Sequence, residues 1–428
     1  MITSVIGKIF LNAYNEEYGT NYDARTFFLE KFFPLFFDSD KKMLKAGNTS
    51  LGNPAYNKKT NKERLNILLE KIRCGQIDSS VCLDFPSFDS TTRNSGQVSE
   101  LAIPISQDDV FLSWIGNGLK VGIKSDLKRK EELSILFFDK KILLDLSEGW
   151  IHYREALDCT KNLQGNQVHL WNTYWLSLIC NSKNFDKHHP PKGICMLESK
   201  GNGSICIKAL DWIKITIDVA RQRNGANVLS YISGMDKNNN FTTIGFRTFI
   251  FTNIKRPLDL YEKYFGLDDG RIADTLWGTA HGIKTVCTNG TIGIKAMEPE
   301  GLMGYIRRGG IPKISKDKKT IININVYKIW ILAMLNNEEL WDKSQELAEL
   351  LNAASIDKDK AISTKRKNLV ENVLDATNKK QFIAAATEIT SFVTDIDKFK
   401  EIVKEIHGMP TDNVPYFLTL VRFQFKTL

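Results

Sequence analysis

Residues 194–205, ICMLESKGNGSI, carry an apolar run into Glu198-Ser199-Lys200 and then break at Gly201-Asn202-Gly203. On a strand over 193–198 side chains alternate with a period of two, so Glu198 and Lys200 share a face. The chemistry open to such a pair is metal-dependent phosphodiester cleavage. A carboxylate holds Mg²⁺ against the phosphate, and a lysine positions water or offsets charge in the transition state. Asp186, twelve residues upstream across Lys187-His188-His189-Pro190-Pro191, is the second acid this chemistry needs. The plainer reading is an ion-paired strand end, in which Lys200 alone compensates a buried Glu198. Residues 133–144, LSILFFDKKILL, read as a strand, repeat the spacing at Asp139 and Lys141, with Asp126 thirteen residues upstream. The acid-x-lysine pattern by itself therefore selects no site.

A different chemistry is written at 304–319, GYIRRGGIPKISKDKK. Arg307, Arg308, Lys313, Lys316, Lys318 and Lys319 stand against one acid, Asp317, with Gly309-Gly310 among them. Clustered cations beside a flexible backbone suit phosphate oxygens, giving affinity without sequence choice. Tyr305 adds an aromatic face for a base to stack on. A solvated surface loop is the equally weighted alternative.

Other polar groups point to less. His188-His189 sits on an extended loop before two prolines, where adjacent imidazoles diverge, so a loop is read there and not a shared metal. His281 in TAHGIK is a general-base candidate without a GxSxG partner motif. No GxxxxGK[ST] occurs, and the GxG at Gly201 and Gly203 reads as a turn.

The elements that must hold these residues follow from periodicity. Residues 5–37 read as helical, with Ile6, Ile9, Phe10 and Tyr14 on one stripe, and Asp23 caps the aromatic run Phe27 to Phe37, a core helix or a partner-facing surface. Residues 47–62, GNTSLGNPAYNKKTNK, form a basic polar loop before a stripe of Leu65, Leu68, Leu69 and Ile72. VCLDF, SELAIPI and LSILFFDKKILLDL read as strands, DDVFLSWIGNGL as a short helix, and KSDLKRK as a second basic patch. Helix returns at 150–180, and a helix over 209–223 with strands at 193–198, 227–233 and 242–252 completes an α/β core. From Val326 to Ile406 the pattern is helical almost throughout. The fold expected is α+β or α/β: an N-terminal helical region over 1–80, a central mixed α/β body over 81–322 and a C-terminal helical bundle over 323–428.

Composition is that of globular protein, with 428 residues, 42% hydrophobic and 25% charged. A formal net charge of +8 permits a polyanionic partner without demanding one. Seven scattered cysteines with no CxxC pair read as reduced thiols, which argues against structural zinc. No apolar run approaches the roughly eighteen residues of a membrane span, and the first residues lack signal-peptide features. A cytoplasmic protein with no membrane partner is expected.

In the order upstream Asp186, strand ending in Glu198-x-Lys200, helix, strand, residues 180–252 resemble the PD-(D/E)XK nuclease superfamily. Residue 185 is Phe where that superfamily has Pro. The resemblance implies Mg²⁺-dependent cleavage of DNA or RNA, with Asp186, Glu198 and Lys200 catalytic and Asp186 and Glu198 on the metal. The α/β body, the basic segment 304–319 and the helices after Val326 are also similar in plan to the large subunits of type I CRISPR surveillance complexes, which implies partner subunits and no catalysis. The function expected is a nucleic-acid-binding protein of microbial genome defence: a Mg²⁺-dependent endonuclease or, alternatively, a non-enzymatic subunit of a multi-protein complex. A structural or interaction scaffold, resting on Phe27 to Phe37, is the third reading. DNA and RNA stay equally open.

Overall fold

The computed structural model describes residues 1–85, 104–125, 132–181, 185–223, 225–235, 241–267, 270, 272–273, 277–310 and 317–428. The fold is α+β. It divides into two compact units, one of Met1–Thr252 with Gly282–Ile292 and one of Asn253–His281 with Gly293–Leu428.

In the first unit, the opening helix Ile2–Tyr18 stops at Gly19, which adopts φ 62°. Asp23 then caps the next turn, its carboxylate accepting from Thr26 N at 2.6 Å. Phe27, Phe28, Phe32, Phe33, Phe36 and Phe37 are all buried, so the aromatic run is core. Phe32 stacks on Phe36 at 4.0 Å, and Phe36 meets Trp150 edge-on at 4.9 Å. The helix widens to a π turn over Phe28–Phe32 just before Pro34, which has no N–H to give the regular ladder. Helix Gln107–Gly118 crosses the opening helix where both carry glycine: a β-carbon on Gly116 would lie 1.9 Å from Thr3 O, and one on Gly7 2.2 Å from Leu112 O.

Strands β1 (Val121–Lys124), β2 (Glu132–Phe137), β5 (Asn227–Met235), β6 (Phe241–Ile250) and β7 (Thr291–Ile292) form one sheet in the order β1-β2-β5-β6-β7. Its pairs are antiparallel except β6 with β7. Strands β3 (Leu197–Ser199) and β4 (Ile205–Ile207) make a separate two-stranded hairpin. The single α/β core expected over 193–252 is thus split between two sheets. Two further expectations are corrected. LSILFFDKKILL is not one strand: β2 ends at Phe137, and Asp139 caps the helix Lys140–Glu148, accepting from Ile142 N at 2.9 Å. Ile142, Leu143 and Leu146 have helical spacing that a continuous apolar run conceals. VCLDF is turn, and Asp84 holds φ 54°, outside strand geometry. Most of SELAIPI and of KSDLKRK lies outside the described residues.

The second unit is a helical bundle, with helices Leu302–Arg308, Lys318–Leu335, Glu339–Ala354, Lys360–Asp375, Lys379–Ile389, Ile396–Gly408 and Val414–Thr427. Asp317, Asp359, Asn378 and Asp395 cap four of them. Trp330, Leu347, Leu351, Phe382, Phe399, Phe417 and Leu420 fill the core. Among the described residues no helix is long and apolar enough to cross a membrane.

Candidate nucleic-acid interface

ICMLESKGNGSI folds as a hairpin. Glu198 pairs with Cys206 across it, and Lys200 N donates to Ser204 O at 2.8 Å around a turn in which Gly203 holds φ 78°. Every residue of β3 is exposed, as is Met196 before it, so no buried glutamate needs compensation here. The expected strand end is corrected on that point: Ile194 and Cys195 are half-buried, and Met196 and Leu197, next to Glu198, face solvent. Glu198 meets the Cys206 thiol, Sγ to Oε1 at 3.5 Å, and Lys200 Nζ donates to Gln164 Oε1 at 3.3 Å. Asp186 lies in the His-Pro loop, accepting from His188 N at 2.9 Å and meeting His189 Nδ1 at 2.9 Å. The bond from His189 and then that from the His188 amide hold its carboxyl below the usual range. Each of the three thus has partners of its own, and none is a partner of another. Among the described residues no group of three or more His, Cys, Asp or Glu side chains is placed to hold a metal ion.

The basic segment is built differently. Leu302 and Ile306 turn the short helix Leu302–Arg308 onto the bundle core, leaving Arg307 and Arg308 exposed in its last turn, where the helix dipole favours cations. Gly309 and Gly310 follow with φ 74° and φ 90°. Asp317 caps the next helix through Thr320 N at 2.9 Å, and Lys318 and Lys319 stand exposed in its first turn. Lys313 and Lys316 lie outside the described residues. Tyr305 is half-buried, with its ring edge-on to Phe423 at 5.5 Å and against Tyr327 at 6.2 Å.

Two buried cations lie in the same unit, and sequence reading missed both. Arg422 has no exposed surface; its Nη2 donates to Thr419 Oγ1 at 2.7 Å, while Nη1 has no hydrogen-bond partner among the described residues. Burial brings its guanidinium down to about 10, opposed by the Asp375 charge. Lys328, 4% exposed, donates to Gln424 Oε1 at 2.9 Å and Thr427 Oγ1 at 2.8 Å, and burial brings it down to about 8. His281 also gains an unforeseen partner. Its Nε2 lies 3.0 Å from Glu298 Oε2, a carboxylate that fixes the imidazole's orientation as a general base would need. Seventeen residues separate the two in sequence, so no local spacing signals them.

No family model, curated protein or solved structure matches the chain.

Proposed function

We propose that the chain binds DNA or RNA through backbone phosphates at Arg307, Arg308, Lys318 and Lys319, as a binding component and not a cutting one. The observation that carries this is the state of Arg307 and Arg308. Both are exposed, and among the described residues neither has a carboxylate partner, whereas Arg73, Arg154, Arg223 and Arg366 are paired with Glu70, Asp158, Asp139 and Asp357. A guanidinium without a carboxylate keeps its donors for phosphate, where contacts are bidentate and release counterions. The exposed, separately partnered Asp186, Glu198 and Lys200 favour binding over Mg²⁺-dependent cleavage. Partner subunits and a genome-defence setting enter this reading through the resemblance to CRISPR large subunits alone.

Gel-shift titration of single- and double-stranded DNA and RNA tests the reading. Arg307→Ala with Arg308→Ala should weaken binding to every sequence, while Arg73→Ala, which removes an exposed but paired arginine, should leave it unchanged. Equal loss in both variants would reduce the effect to net charge.

A further inference from the structure

The basic loop 47–62, which the surface of Arg307, Arg308, Lys318 and Lys319 does not use, borders a cleft of about 610 Å³ in the first unit. Met43, Leu44, Ala46 and Leu51 are buried and anchor the loop, and Thr60 caps the helix Asn61–Arg73 in a reciprocal box with Glu63. That helix start is already satisfied, so the charge of the cleft comes from side chains. Lys42, Lys59, Lys62 and Arg64 line it, with Asp38 and Asp40 as the acids.

The cations nearest the protein interior are Lys42 and Arg64. Arg64 is 7% exposed and is held by Lys59 O at 3.2 Å and Asn57 Oδ1 at 3.2 Å, so its guanidinium is fixed before any ligand arrives. Lys42 Nζ donates to Leu51 O, and Arg64 Nη1 approaches the same oxygen at 3.5 Å. Two positive groups therefore converge on one neutral carbonyl, and among the described residues neither forms an ion pair with a carboxylate. Burial, and then the Arg64 charge, bring Lys42 down to about 8. An anion beside the two would relieve both effects.

We infer that this cleft binds a phosphate monoester, carried by a free mononucleotide or by the 5′ end of an oligonucleotide, with the phosphate against Lys42 and Arg64. The volume falls within the roughly 300–1,000 Å³ of small-ligand sites. Asp38 and Asp40 are exposed on the same cleft and repel further phosphates, so a terminal group enters and a continuous backbone does not. The site belongs to the first unit and stands or falls independently of the surface of Arg307, Arg308, Lys318 and Lys319.

The test is calorimetry on the full chain carrying Arg307→Ala and Arg308→Ala, so that backbone binding at the other surface is weakened and is the same for every strand compared. The probes are adenosine 5′-monophosphate and one short oligonucleotide with a 5′-phosphate or a 5′-hydroxyl. The monophosphate and the 5′-phosphate strand should bind, the 5′-hydroxyl strand about tenfold or more weaker. Proton uptake near pH 8, read from buffers of different ionisation enthalpy, should accompany binding as the anion restores the Lys42 ammonium. Equal affinity for both probes marks the free nucleotide as sufficient; binding of the strand alone marks an end-recognition site. Lys42→Met should abolish uptake and weaken binding, and the exposed pair Lys59→Glu with Lys62→Glu, which leaves the buried contacts intact, should weaken it in a chain of unchanged melting temperature. Equal binding of 5′-hydroxyl and 5′-phosphate strands, or no binding of either monoester, would overturn the inference.

Discussion

Gly309 and the buried guanidinium of Arg422 share one corner of the second unit: a β-carbon on Gly309 would lie 3.0 Å from Arg422 Nη1 and 3.0 Å from Asp375 O. With φ 74°, Gly309 is also in a region that other residues enter only under strain. The glycine of the basic segment is therefore set by close approach to a core cation as well as by flexibility. Gly309→Ala should cost about 2 kcal/mol of stability, read as a lowered denaturant midpoint. Part of that loss should return when Arg422→Met is added, because the clash with Nη1 goes while the left-handed strain remains. Strict additivity of the two substitutions would contradict the contact.

Lys328 gives the second unit a pH signature. Its folded value, about 8, lies below the ordinary lysine value because of burial, so the unfolded chain binds more protons between about pH 8 and the unperturbed value. Stability carried by this group rises with pH across that window and is at its lowest, and flat, below it. The wild type minus Lys328→Met difference in urea midpoint should show that rise. A difference independent of pH from 7 to 10 would place the ammonium in water.

The crossing of helices Ile2–Tyr18 and Gln107–Gly118 depends on having no side chain at two positions, Gly7 and Gly116. Gly116→Ala puts a β-carbon 1.9 Å from a backbone oxygen, Thr3 O, which no rotamer relieves. A loss of about 3 kcal/mol is expected, with the aromatic core around Trp114 loosened and its fluorescence shifted to the red. An unchanged melting temperature would mean that the helices do not cross there.

Glu198→Gln and Asp186→Asn should each change stability by no more than about 0.5 kcal/mol and leave nucleic-acid affinity unaltered, since both side chains are solvent-facing. Incubation of the wild type with DNA and RNA in Mg²⁺ or Mn²⁺ checks the same point chemically. Cleavage by the wild type that Glu198→Gln abolishes would restore the nuclease reading.

Local signals in the sequence were good guides where one segment decides its own structure. The Asp23 cap, the burial of Phe27 to Phe37, the turn at Gly201 to Gly203 and the helical C-terminal bundle all follow from short-range chemistry. Failures came where partners are distant. An apolar run before Glu198 suggested burial, yet Met196 is 55% exposed because the hairpin stands apart from the five-stranded sheet. Arg422 hides in VPYFLTLVRFQFKT, an apolar helix in which a cation reads as surface until the neighbouring helices close over it. For the candidate interface, the cluster of cations was legible; the lack of carboxylate partners at Arg307 and Arg308 among the described residues, and the ring contacts of Tyr305, were not.

The salt dependence of nucleic-acid binding tests the central claim most directly. In filter-binding titrations of duplex DNA, log affinity should fall linearly with log salt concentration, and each phosphate contact removed should reduce the slope by about 0.9. Arg307→Ala with Arg308→Ala should therefore give weaker binding with a slope shallower by about 2. Unchanged affinity and an unchanged slope in the double variant would remove these arginines from the interface and contradict the account.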